Sequence, residues 1–287
     1  MTPRRALTTV LLCMLLAASA GCRAQPTAPE PVPVPTSPAE RPPDPGQVMN
    51  VYFVRGEKVG VGGREIPKTS DTEGAALSAM RALVAGPSDD EAAFGLTTAI
   101  PEEVAVNGVT IDGDTATVDL TADFASGGGS LSMLLRVTQV ICTLTQFDGV
   151  EKVAFVLDGE PTEAIGGEGV IVDPPVGRPD FEDQLPAILV ESPYPGQTIQ
   201  VPLTVSGSSN VFEATHQLTL TSPDGSELAN VVVTATSGTG ERGTWSESVT
   251  FAAPATSGLG TLTVFESSAE DGSPINVVEI PVRLVIE

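Results

Sequence analysis

"VAVNGVTIDGDTATVDLTADF", residues 104–124, is the stretch whose reading decides the fold of the first half of the chain. Val104, Val106, Ile111, Ala116, Val118 and Leu120 mark short strands, and Asn107–Gly108 and Asp112–Gly113 are dipeptides that favour tight turns between them. The reading is a meander of antiparallel strands. Asp112, Asp114, Asp119 and Asp123 raise calcium as a ligand, but a calcium loop sets its oxygens at regular positions between two helices, and these lie along a strand and its exit. They are read as solvated carboxylates, with weak cation binding left open.

Helices flank this meander in sequence. Upstream, "SDTEGAALSAMRALVAGP" (70–87) offers Ser70 or Asp71 as a cap, and Glu73 completes a Ser-x-x-Glu capping box. Ala76, Leu77, Met80, Leu83 and Val84 recur at helical spacing, Gly86 suits a left-handed close, and Pro87 forbids continuation. Downstream, Gly127–Gly129 form a connection and Ser130 caps "LSMLLRVTQVICTLTQF" (131–147). There Leu131, Leu134, Leu135, Thr138, Ile141, Cys142 and Thr145 share one side, which makes Cys142 a core residue. "VMNVYFVRG" (48–56) opens the unit as a strand and "VEKVAFVLDGE" (150–160) closes it. The glycines of "GVGG" (60–63) and "GGG" (127–129) read as turns or linkers, because neither completes a phosphate-binding pattern between strand and helix. The result is a compact α+β domain over 48–160.

The run "ALVAGPS" followed by "AIPEEVAVNGVTIDGDTATVDLTADF" and "QVICTLTQFDGVEKVAFVLDGE" resembles the GerMN domain of bacterial sporulation and germination proteins and of envelope lipoproteins. That resemblance implies a non-catalytic α+β module.

Residues 161–186, rich in glycine, proline and acids, read as an exposed linker that permits relative motion. Beyond it lie strand-like segments with little helical signal, among them "TIQVPLTVSG" (198–207), "GTWSESVTF" (243–251) and "GTLTVFESS" (260–268). Val201, Leu203 and Val205 alternate, as do Leu218 and Leu220, and Pro223–Gly225 signals a hairpin. Two sheets enclosing Trp245, Phe251, Leu262 and Val264 predict an all-β immunoglobulin-like sandwich over 187–287, without the inter-sheet disulfide of antibodies. "VESPYPGQTIQVPLTVSGSSNVFEATHQLTL" with "GLGTLTVFESSAEDGSPINVVEIPVRL" resembles the Gmad2 immunoglobulin-like domain found beside GerMN modules. Tyr194 and Phe212, near strand ends, either close the sandwich or face a partner protein or sugar. His216, the single histidine, reads as surface polarity or one satisfied hydrogen bond.

At the N-terminus, Arg4 and Arg5 precede an apolar run and the small residues Ala20 and Gly21 before Cys22, the layout of a secretory signal over 1–21. It resembles the lipobox of bacterial lipoproteins, with Ser19 where leucine is commoner. The resemblance implies that the Cys22 thiol is acylated and the protein held by lipid on the extracytoplasmic face of the cell membrane. Residues 22–47 then form a proline-rich tether that favours extended polyproline conformations.

Composition narrows function. With 14 basic against 37 acidic residues the formal charge is −23, which argues against nucleic acid as a partner. Three cysteines and one histidine leave no zinc or iron–sulfur set, and no G-x-S-x-G elbow or Ser–His–Asp triad is legible. No cofactor, metal site or catalytic residue is expected. The sequence predicts a non-enzymatic envelope lipoprotein whose modules bind a protein or the cell wall, in a sporulation or germination setting or a general envelope assembly. The alternative is a protein that binds or hydrolyses peptidoglycan or other carbohydrate.

Overall fold

The computed structural model describes residues 46–167 and 169–286. Cys22 and the proline-rich tether lie outside the described residues.

The first unit opens with a hairpin. β1 (Gln47–Arg55) pairs antiparallel with β2 (Lys58–Ile66), and the short β3 (Leu96–Thr97) adds to the other side of β1 at Val54 and Arg55. β2 is the "GVGG" segment, so those glycines lie within a strand. They are small because neighbours approach closely: a Cβ on Gly60 would stand 2.8 Å from Leu96 Cδ2. Helix α1 (Thr72–Val84) is capped by Asp71, whose carboxylate accepts from Gly74 N at 2.7 Å. Glu73 does not close a box with Ser70; it accepts from Ile111 N at 2.8 Å and ties the helix to the neighbouring sheet. A second, five-residue helix, α2 (Asp89–Ala93), carries a complete capping box between Ser88 and Glu91.

The sheet read from residues 104–124 differs from a meander in one respect. β4 (Val106–Asp112) and β5 (Thr115–Leu120) form an antiparallel hairpin whose turn includes Gly113 at φ 59°. Asn107–Gly108 makes no turn and instead marks an irregularity within β4. After α3 (Ser130–Leu144), β6 (Lys152–Leu157) returns parallel to β5, because a helical crossover brings the chain back to the same end of the sheet. β7 (Glu160–Pro161) adds an antiparallel edge.

α3 is not half-exposed as a one-sided stripe predicts. Every residue from Leu135 to Leu144 is buried, and its cap position falls on Gly129. The polar side chains find backbone partners instead of water. Thr143 Oγ1 accepts from Tyr52 N, Gln139 Nε2 donates to Tyr52 O at 3.2 Å, and Gln146, just past the helix, brackets Asn50 N and O at 3.1 and 2.8 Å. These bonds cover the part of β1 that β3 leaves open, where unpaired strand groups would otherwise need water or another strand. Arg136, also buried, donates to the carbonyls of Ala99, Phe124 and Ser126.

The segment 161–186 departs from the exposed linker expected of its composition. β8 (Ala164–Ile165) pairs with β9 (Val170–Ile171), and Ile165, Val172, Phe181 and Leu185 are buried. Ile165, Val172 and Phe181 join the core of the first unit.

The second unit is the sandwich. One sheet orders β10 (Ile188–Ser192), β11 (Leu203–Ser209) and β14 (Gly243–Val249); β12 (Thr215–Thr221) and β13 (Glu227–Thr234) pair with β15 (Gly258–Ser267) and β16 (Pro274–Leu284) in the order β13-β12-β15-β16. Trp245, Leu262 and Val264 are buried between them, with Phe251 partly buried against the same core, whereas Val201 lies outside the strand and is exposed. The hairpin at Pro223–Gly225 closes with Asp224 accepting from Ser226 N at 3.0 Å and from both flanking hydroxyls. Those hydroxyls, Ser222 first and then Ser226, hold the Asp224 carboxyl down near about 2.

His216 corrects the surface reading. It is buried in β12, meets Trp245 edge-on at 4.8 Å between centroids, and neither ring nitrogen has a hydrogen-bond partner among the described residues. Burial lowers its pKa to about 4, only partly offset by the Glu266 carboxylate. The folded protein thus holds the imidazole neutral while the unfolded chain protonates it near 6.5, so the contribution is complete above that pH and is lost as pH falls toward 4. Between pH 6.5 and 5 the protein is expected to lose about 2 kcal/mol through this residue. Urea unfolding of wild type and His216→Leu at both pH values tests it; equal pH slopes would remove the histidine from the account.

Candidate binding surface at the domain seam

The two units meet through the segment that joins them. Arg178 is the only cation in residues 161–186, and its guanidinium reaches both sides. Nε donates to Thr145 Oγ1 at 2.9 Å and Nη2 to the Cys142 carbonyl at 3.0 Å, both from the α3 region. Nη2 also donates to the Tyr52 hydroxyl on β1 at 3.0 Å, and Nη1 meets Glu191 Oε1 on β10 at 2.9 Å. The Tyr52 hydroxyl in turn donates to Glu191. A second arginine, Arg242, holds both oxygens of Glu182 and the Pro186 carbonyl, fixing the connector to the sandwich.

Around these polar contacts lies an apolar cluster drawn from both units and the connector: Tyr52, Val59, Val61, Cys142, Leu185 and Leu189. Cys142 is the core residue expected from the sequence, and burial pushes its thiol up to about 11, which removes it from nucleophilic chemistry. Burial likewise raises the pKa of the Tyr52 hydroxyl, which keeps it a donor at neutral pH.

Tyr194 belongs to this seam. Its ring lies directly on Gly63 of β2, where a Cβ would overlap the ring carbons, and it is half-buried. Phe212 stands elsewhere and differently: it is 54% exposed, in a tight turn ahead of β12. Glu266 fixes that turn by accepting from Phe212 N at 2.9 Å and from Asn276 Nδ2 at 2.8 Å. The two aromatics are therefore not one surface. Asp114 pairs with Lys152 at 3.3 Å and Asp119 accepts from Asn107 Nδ2 at 3.1 Å; no group of three or more His, Cys, Asp or Glu among the described residues is placed to hold a metal ion.

Beside the seam a groove of about 420 Å³ opens between the β1–β2 turn, β10 and β16. Val59, Leu96, Ile188 and Val190 give it apolar walls, and Arg55 and Lys58 line it as well. Arg55 donates to the Glu279 carbonyl at 2.8 Å, and Lys58 to the Asp183 carbonyl. Sequence reading missed this groove and the Arg178 contacts, which reach residues up to 126 positions away. The one signal was a single arginine within an acidic, proline-rich run.

Removing Arg178 would leave the part-buried Glu191 carboxylate and the buried Tyr52 hydroxyl without their cation. Arg178→Ala is expected to cost about 2–4 kcal/mol and to split one calorimetric transition into two, with Arg178→Lys a poor substitute for the planar fork. A single transition of unchanged midpoint would count against the clamp. Gly63→Ala is expected to cost about 1–3 kcal/mol by forcing Tyr194 off β2. In a double-mutant cycle Tyr194→Ala should relieve most of that cost, and simple additivity would show that the ring and the glycine do not meet.

Comparison with known proteins gives the units their kinship. Residues 50–163 match the family model Germane, "Sporulation and spore germination", and residues 187–273 match Gmad2, "Immunoglobulin-like domain of bacterial spore germination". Among curated proteins none matches significantly. Of solved structures, the first GerMN domain of the sporulation protein GerM from Bacillus subtilis is 22% identical, over 47% of this chain and 99% of that one, with a TM-score of 0.40. The tandem GerMN domains of the same protein are 18% identical, over 65% of this chain and 59% of that one, with a TM-score of 0.41. No helix among the described residues is long and apolar enough to cross a membrane. The chain carries a GerMN-like α+β domain followed by a Gmad2 immunoglobulin-like domain, two non-catalytic modules of sporulation and germination type.

Proposed function

We propose that this is a lipid-anchored protein of the bacterial cell envelope that displays its two modules, as one body, to an envelope protein in a sporulation, germination or general envelope assembly. The observation that carries the reading is the tandem of GerMN-like and Gmad2 modules in one chain behind an N-terminal sequence that ends its apolar run at Ala20-Gly21-Cys22. Acylation of Cys22 supplies the anchor: a thioether to a diacylglycerol, with two chains in the bilayer, holds a protein that a single chain would leave in exchange. The proline-rich composition of the residues that follow suits a spacer.

The partner reading is supported by the exposed Phe212 and by the groove at the seam, both of which offer contact without chemistry. Peptidoglycan is the competing ligand, and exposed aromatics suit a sugar face as well as a protein.

Cys22→Ser is expected to move most of the protein from membrane to soluble fractions after detergent-free washing. Retention in the membrane would count against acylation. Capture from envelope extracts on the purified protein should return a reproducible protein partner, with no retention on purified peptidoglycan. Retention by peptidoglycan alone would replace the assembly reading with the carbohydrate one, and capture of neither would sink both.

A further inference from the structure

We infer that the groove at the seam holds the carboxyl-terminal end of an extended peptide, taken up as an added strand on the edge of β16. The inference rests on the binding-module reading above and names the chemistry one surface accepts.

β16 is the last strand of its sheet. One side of it pairs with β15, and the other is covered only toward its end. Gly196 N donates to the Pro281 carbonyl at 2.7 Å, and Arg283 exchanges bonds with Gln197 O and Ile199 N at 2.8 and 3.0 Å. In a strand, the N–H and C=O of alternate residues turn to the same side. The outward bonds of Glu279, Pro281 and Arg283 therefore identify the outward set, and the alternation reaches back as far as the Val277 carbonyl before the register shifts between Val278 and Ile275 around Asn276, whose φ is 51°. Val277 and Glu279 both line the groove. The Val277 carbonyl and the Glu279 N–H offer main-chain bonds of the kind through which sheet edges recruit peptides.

The direction of the guest follows from what already lies on this edge. Thr198 bridges Arg283 in parallel, so the covering segment runs the same way as β16. A peptide continuing that line cannot pass Pro281 and must end beside Glu279. Arg55 stands at that point, bonded to the Glu279 carbonyl, and a guanidinium has four further N–H donors to offer. Lys58 lines the same groove. In a chain of net charge −23, neither cation has a carboxylate within ion-pair distance among the described residues. A terminal carboxylate completes them, while the Glu279 side chain, also in the groove, disfavours further acids on the guest. Val59, Leu96, Ile188 and Val190 receive apolar side chains. The volume lies within the range of roughly 300–1,000 Å³ typical of ligand sites, suited to the last few residues of a chain.

The test presents the purified full chain with a randomised hexapeptide library ending in Val, Leu or Ile, made once as free acids and once as amides, and reads retained peptides by mass spectrometry. Free acids should be retained, and amides about tenfold less. For a retained peptide, fluorescence anisotropy should show about tenfold weaker binding to Arg55→Gln/Lys58→Gln. Glu279→Pro, which removes the outward N–H of Glu279 from an edge where proline is tolerated, should weaken it similarly relative to Glu279→Ala. If Glu279→Pro lowers the melting temperature, the acid–amide comparison and the double variant decide the matter. Equal retention of acids and amides overturns the inference, as does retention of neither. Either of these would remove the groove's role while leaving the wider reading to its own envelope capture.

Discussion

Arg178 is where the two halves of this molecule become one body. A guanidinium carries five N–H donors in a rigid fork, and here four bonds from it meet a hydroxyl and a carbonyl of the α3 region, the Tyr52 hydroxyl on β1 and the Glu191 carboxylate on β10. No lysine could meet that set, because its three donors radiate from one point. The contact also closes on itself, since Tyr52 donates to Glu191 while receiving from Arg178. A half-buried pair of charges stabilises only when its remaining donors and acceptors are satisfied, and this one is. The groove beside the seam depends on it in turn, because its walls come from β2 on one unit and β10 and β16 on the other.

The same economy of polar groups explains α3. A helix whose residues are buried on all faces normally reads as apolar throughout, yet this one carries Arg136, Thr138, Gln139 and Thr143 in its buried run. Each has a backbone or side-chain partner, and two of them bond Tyr52, which stands in the middle of β1. The helix thereby substitutes for a missing strand along part of β1. That arrangement places Cys142 and Thr145, the two α3-region partners of Arg178, against the seam.

Much of the fold was legible because local rules sufficed. Asp71, Gly86 and Pro87 delimit α1 as capping chemistry requires, the Asp112–Gly113 turn closes the β4–β5 hairpin, and Pro223–Gly225 closes another. The failures share one cause, which is that a residue's partner lay far away in sequence. Gly60, Gly62 and Gly63 look like a flexible connection until Leu96, Glu91 and Tyr194 are seen pressing on them. His216 looks like a surface residue until Trp245 stands against it. The connector's composition is that of a linker, but four scattered apolar residues, Ile165, Val172, Phe181 and Leu185, are buried and anchor it. Of the two aromatics singled out for partner contact, Tyr194 is occupied by the seam and Phe212 remains outward, a difference that strand-end position alone does not encode.

Charge placement links the seam to the setting in which the protein works. The chain has only 14 cations, and Arg55, Lys58, Arg178 and Arg242 all gather at or beside the junction of the two units. Arg64 and Arg136 are likewise committed, to Glu91 and to buried carbonyls. Few basic groups are left for the outer surface, which is consequently dominated by carboxylates. Such a surface is repelled by anionic phospholipid headgroups and by teichoic or nucleic phosphates, so the folded body gains nothing by lying on a membrane. The proposed acyl anchor suits that electrostatics, because hydrophobic attachment needs no positive surface on the acidic modules. Arg55 and Lys58, neither of them within ion-pair distance of a carboxylate among the described residues, line the apolar-walled groove beside the seam, and low-dielectric walls strengthen the attraction of such cations for an anionic group.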